Sequence, residues 1–137
     1  LRRLGYIYDT SEKDEDLPYL ATIDGQIAED FVILPNNTVS LDDAPLYVTG
    51  QATAAEVLET WLRELDAIAA GDGYLHLIMH PRAGYGSGTP ARMASFDRFL
   101  AAARAVPGCA FITCRELARH CLTEPARWRD PRAAEPA

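Results

Sequence analysis

Long apolar runs are missing from this 137-residue chain. No stretch approaches the roughly 18 residues that cross a bilayer, and the first residues are not a charged segment followed by an apolar one. The chain therefore reads as soluble, with no membrane span and no targeting segment in view. Cysteine is scarce: Cys109, Cys114 and Cys121 form no Cys-x-x-Cys pair, and an odd count is a poor disulfide framework, so a reducing, cytoplasmic setting is expected. Basic charge is in deficit, with 13 Lys and Arg against 20 Asp and Glu and a net charge of −7. Such a surface repels a phosphate backbone, and no basic stripe with interleaved aromatics counters it, which argues against nucleic acid as a partner. An initial Met is lacking too. The chain opens on Leu1-Arg-Arg-Leu-Gly5, which reads as the last turn of a helix ending at a glycine, and further sequence is expected upstream.

What is present suffices for a globular fold. At 48% hydrophobic residues and this length, a single domain with a modest core is expected. Residues 5–8 and 31–34 read as strands, separated by an irregular acidic segment through residues 12–16 of the kind that often lines a site. Asp42-Asp43-Ala-Pro45 reads as a turn, so both carboxylates sit on a loop that follows a strand. From Thr53 the period changes: Ala54, Leu58, Trp61, Leu65 and Ile68 share one helical face, and the helix stops at Gly71-Asp-Gly73. Residues 74–79 then read as a buried strand. Pro90 opens a second helix with Met93, Phe96, Leu100 and Ala103 on one face, ended by Pro107-Gly108. Residues 109–113 read as a strand, 116–122 as a short helix, and the Pro-containing tail 123–137 as loose. This alternation predicts an α/β fold with parallel strands and right-handed crossovers, and ligands in such folds gather at the C-terminal ends of strands.

Two histidines, His76 and His80, are four apart. On a helix they could share a metal; on a strand they lie roughly 13 Å apart, too far for one ion whose ligands each stand about 2.0 to 2.1 Å from it. His80 falls at the strand's C-terminal end, where site residues accumulate, and His76 reads as a hydrogen-bonded interior residue. The following loop, with Gly84, Gly86 and Gly88, lacks the Lys-Ser/Thr of a P-loop and reads as a mobile surface loop. Ser87 is not the centre of a Gly-x-Ser-x-Gly elbow, so a Ser-His-Asp hydrolase is not indicated. Asp42 and Asp43 have two readings, as turn formers or as carboxylates that orient or charge His80 or contact substrate. Cys114, His120 and Cys121 lack a fourth ligand and read as packing residues.

The stretch from Met79-His-Pro-Arg82 through Pro107-Gly-Cys-Ala-Phe111 to His120 resembles the C-terminal end of the polysaccharide deacetylase family, the NodB-type carbohydrate esterases. It is most similar to the branch with peptidoglycan-deacetylase-like and allantoinase-like proteins. Leu4-Gly-Tyr-Ile-Tyr-Asp-Thr-Ser11, Leu34-Pro35 and Leu41-Asp-Asp-Ala-Pro45 fit that branch as well, so the resemblance covers residues 1–122. It implies the C-terminal part of a distorted, incomplete (β/α) barrel. It also implies hydrolysis of an N-acetyl or related amide by water activated on a divalent metal, usually Zn²⁺. His80 matches the family's histidine that acts as general acid toward the leaving amine, a role suited to an imidazole. Asp42, Asp43, Pro81 and Arg92 fall at positions that line the substrate site.

Departures from the family pattern matter as much. Its Thr-Phe-Asp-Asp motif, its metal-binding His-x-x-x-His and its Arg-x-Pro groove motif are not found in their places, and Thr89 stands where the family's turn has its first Arg, with Tyr85-Gly-Ser87 added before it. The resemblance thus implies a half-site: no metal bound by this chain alone, no catalysis alone, and a carbohydrate or small amide as substrate. The missing half would come from an N-terminal portion or from a second copy. Two other readings stand beside it, a non-catalytic carbohydrate- or protein-binding module and an amidohydrolase acting on an allantoin-like ureide.

Overall fold

The computed structural model describes residues 1–36, 39–71 and 73–132. Asn37, Thr38, Asp72 and the last five residues of the expected loose tail lie outside them. The chain divides into two compact units, Leu1–Pro35 with Phe111–Ala137, and Asn36–Ala110.

The first unit holds a three-stranded mixed sheet of order β1-β3-β2, with β1 Tyr8–Asp9, β2 Tyr19–Ile23 and β3 Gln26–Ile33. β1 runs parallel to β3, pairing Tyr8 with Val32 and Asp9 with Ile33. β2, which the sequence reading left inside an irregular segment, is antiparallel to β3. Its hairpin turns on Asp24-Gly25, whose φ angles of 51° and 77° are those a two-residue type I′ turn demands. The sheet is buried on both sides: Tyr19, Ala21, Phe31 and Ile33 join Ala28 in one cluster, and the alternate residues Leu20 and Val32 are fully buried. The opening residues form a 3₁₀ turn, Arg2–Leu4, which Gly5 closes at φ 82°.

Helix α3, Cys114–Thr123, packs against β3 and β1 in this unit and buries Ala118 and Cys121. Thr113 and Glu116 cap its start reciprocally, two residues earlier than the sequence suggested. Residues 124–132, read from the sequence as part of a loose tail, are held against β2. The amide of Leu20 donates to the Trp128 carbonyl at 2.6 Å, and Thr22 donates to the buried Asp130 at 3.0 Å. Arg132 reaches both Asp130 and Asp14 and lies 4.9 Å from the Tyr19 ring. Backbone pairing and a buried carboxylate supply what the tail lacks in apolar side chains.

The second unit is built on α1, Ala54–Ala70, and α2, Pro90–Ala105. α1 starts at a Thr53/Glu56 capping box and buries Val57, Leu58, Trp61 and Leu65, close to the expected stripe. α2 is rotated relative to expectation: Ser95, Phe99 and Ala103 form its most buried line, with Met93, Phe96 and Leu100 flanking it. Trp61 selects this face, meeting Phe99 and Phe96 edge-on at ring distances of 5.6 and 6.3 Å. Leu41 and Tyr47 complete the core, the latter in a π-turn over Pro45–Thr49.

Residues 74–79 are half-buried and extended, not the buried strand the sequence suggested. A strand exists by virtue of its ladder, and this segment makes a single parallel bridge, Asp42 with Ile78. Residues 109–113 are likewise not a strand, and Phe111 and Ile112 are exposed. The fold is α/β, as expected, with a small sheet and helices. No described helix is long and apolar enough to cross a membrane.

Candidate active site

The parallel bridge places the site. Ile78 donates to the Leu41 carbonyl at 2.8 Å and Asp43 donates to the Ile78 carbonyl at 3.2 Å, so Asp43 is drawn alongside His80, two residues further on. Asp43 is fully buried, and a buried carboxylate is tolerated only when its lone pairs are filled. Here His80 Nδ1 stands 2.7 Å from Asp43 Oδ1, and the His80 amide donates to both oxygens at 3.1 and 3.0 Å. The amide and hydroxyl of Ser87 donate to Oδ2 at 2.8 and 2.6 Å. Because a carboxylate accepts and does not donate, the short contact puts a proton on Nδ1 and directs Nε2 outward as the working nitrogen.

Asp42 lies at the turn and near the imidazole. Its Oδ1 accepts from the Ala44 amide at 3.0 Å, an Asx-type turn, and also lies 3.7 Å from His80 Nδ1. His80 is partly exposed and meets the ring of Tyr85 at 5.4 Å. His76, four residues away, belongs elsewhere: its Nδ1 pairs with the Tyr74 hydroxyl at 3.0 Å, and it is half-buried. Pro81 is exposed at the start of the loop.

The glycine-rich loop folds back onto His80. The amides of Arg82 and Ser87 both donate to the His80 carbonyl at 2.8 Å, and Gly86 donates to Arg82 at 2.9 Å. A Cβ on Gly86 would lie 2.2 Å from the His80 carbonyl oxygen, so only glycine lets the loop close this tightly. Arg92, expected to line the substrate site, donates to the Gly86 carbonyl at 2.7 Å and stacks 4.0 Å from the ring of Tyr47. Burial pushes the Tyr47 phenol above its ordinary value, against the pull of Arg92, and the nearby Asp43 adds to the rise. Ser87 is the residue sequence reasoning passed over. It sits beside the His-Asp pair, yet its hydroxyl serves Asp43 and not His80, so the order Ser-Asp-His agrees with the absence of a nucleophile elbow.

Asp42, Asp43 and His80 bring ligand atoms within 4.8 Å of one another, the arrangement among the described residues that could hold a metal ion. Their bonding does not fit one. Both oxygens of Asp43 already accept from the backbone N–H groups of His80 and Ser87, donors that a cation bound to the same oxygens would have to displace. Cys114, His120 and Cys121 form no such group among the described residues, and burial raises the Cys121 thiol to about 11.

No family model and no curated protein matches the sequence. Solved structures do. A probable polysaccharide deacetylase from Pseudomonas aeruginosa PAO1 is similar over 90% of this chain at a TM-score of 0.75 and 27% identity, and Puue allantoinase over 90% at 0.75 and 26%. The chain spans 43% of the first and 41% of the second. The resemblance read from the sequence is thus met in three dimensions: the chain has the fold of part of a polysaccharide deacetylase and of part of an allantoinase.

Proposed function

We propose that this chain carries the proton-donor half of a hydrolase that cleaves an amide C–N bond, with an N-acetylated carbohydrate as substrate. The observation that carries the reading is the His80–Asp43 pair at 2.7 Å, buried at one end and open at the other. Hydrolysis breaks the bond between acyl carbon and nitrogen, adds water's oxygen to the acyl carbon and leaves the nitrogen needing a proton. His80 delivers that proton from Nε2 while Asp43, bonded to Nδ1, fixes the ring and stabilises its charged form. Asp42 adds a second negative charge near Nδ1, and Pro81 shapes the rim. The donors already held by Asp43 argue against a metal at the Asp42, Asp43 and His80 group, so the activation of water is assigned to residues outside this chain, supplied by a further portion of the protein or a second copy. We place this activity in a reducing, cytoplasmic setting, the expectation carried by three cysteines without a Cys-x-x-Cys pair.

The equal similarity to an allantoinase favours a second substrate class, a small ureide, for the same proton donor. The protein as encoded separates the two: acetate release from N-acetylated chito-oligosaccharides supports the first, and ring opening of allantoin the second. In either assay His80→Ala should lower kcat by about 10²- to 10⁴-fold, the usual range for a general acid, with the fold intact. Retained turnover in that variant would remove His80 from the chemistry.

A further inference from the structure

Resting on the His80 reading above, we infer that Ser87 is a positioning residue for the proton donor: it locks Asp43 so that Oδ1 faces His80 Nδ1. Asp43 could present either oxygen to the imidazole, and a carboxylate free to rotate would not hold the ring. Ser87 removes that freedom. Its hydroxyl and amide occupy Oδ2 at 2.6 and 2.8 Å, leaving Oδ1 for Nδ1 at 2.7 Å. The lock is enclosed, for Ser87 has no exposed surface and no competing water can reach it from bulk solvent.

The surrounding loop is shaped to deliver this one side chain. Its amide also donates to the His80 carbonyl, so Ser87 is tied to both members of the pair it serves. Gly86 permits the close pass over His80, and Arg92, stacked on the buried Tyr47, holds the Gly86 carbonyl from beyond.

Ser87→Ala deletes one oxygen and adds nothing, so it cannot overpack the site. In the protein as encoded it should lower kcat about 10- to 100-fold, the scale of one hydrogen bond to a charged group, while KM moves less than about twofold. In the ¹⁵N-labelled 137-residue chain the Nδ1–H resonance of His80 should shift or broaden, and Ser87→Thr, which keeps the hydroxyl, should restore it. Unchanged kcat in Ser87→Ala where His80→Ala is inactive would overturn the role of Ser87 alone. If His80→Ala stays active the proton-donor reading falls, and the resonance still decides the lock: an unchanged Nδ1–H signal in Ser87→Ala overturns it. A loss of activity that tracks only a fall in folded fraction would overturn it as well.

Discussion

Asp43 and His80 are 37 residues apart in sequence, and nothing in either neighbourhood announces the other. The turn chemistry of Asp42-Asp43 and the strand-end position of His80 were legible; their union depends on one backbone bridge between residues 42 and 78. Ser87 was harder to see, since a serine among glycines looks like a flexible loop until the close approach of Gly86 is known. A second residue-scale arrangement makes stability depend on pH. Desolvation alone would raise the Asp14 carboxyl, yet the Tyr19 hydroxyl and Arg132 hold it below its ordinary value. Burial, then Asp14, pushes the Tyr19 phenol up to about 12. A lowered carboxyl stabilises the fold above its unfolded value and loses that contribution as pH falls through the folded one. A raised phenol stabilises below 10 and loses its contribution as pH rises from 10 to about 12. Thermal unfolding followed across pH should show a decline on the alkaline side in this window, and Tyr19→Phe should flatten it. An unaltered alkaline limb in that variant would mean that Tyr19 contributes nothing to the linkage.

At the scale of elements, the helices were the most legible part. Apolar spacing gave α1 and α2, and the boundary of α1 agrees with its Thr53/Glu56 box. Spacing alone did not fix which stripe of α2 faces inward, because Phe96 and Phe99 both offer a ring, and Trp61 on another helix decides. β2 is hard to read from the sequence although Asp24-Gly25 is a strong hairpin signal, because the acidic stretch 12–16 and Pro18 ahead of it have the composition of an irregular segment. The segments 74–79 and 109–113 failed as strands for want of partners. Each capping box ties a threonine hydroxyl to a backbone amide, at 3.3 Å in α1 and 3.2 Å in α3. Thr53→Ala and Thr113→Ala should each lower stability by about 1 kcal/mol, read as a shift in denaturant midpoint without a change in slope. No shift in either would show that the reciprocal glutamate bonds suffice.

For the whole molecule, two features belong together. The chain matches 43% and 41% of two hydrolase structures. It also assembles a hydrogen-bonded His-Asp pair whose acceptors are already filled. Both follow if the chain supplies proton donation and another portion supplies the activated water. The partial (β/α) barrel implied by the family resemblance belongs to the same proposal. Elemental analysis of the purified 137-residue chain after exposure to Zn²⁺ and removal of excess tests this most directly. We expect no stoichiometric metal, for the wild-type chain and for His80→Ala alike. One bound equivalent in the wild type that disappears in His80→Ala would contradict the account and make His80 a ligand instead of a proton donor.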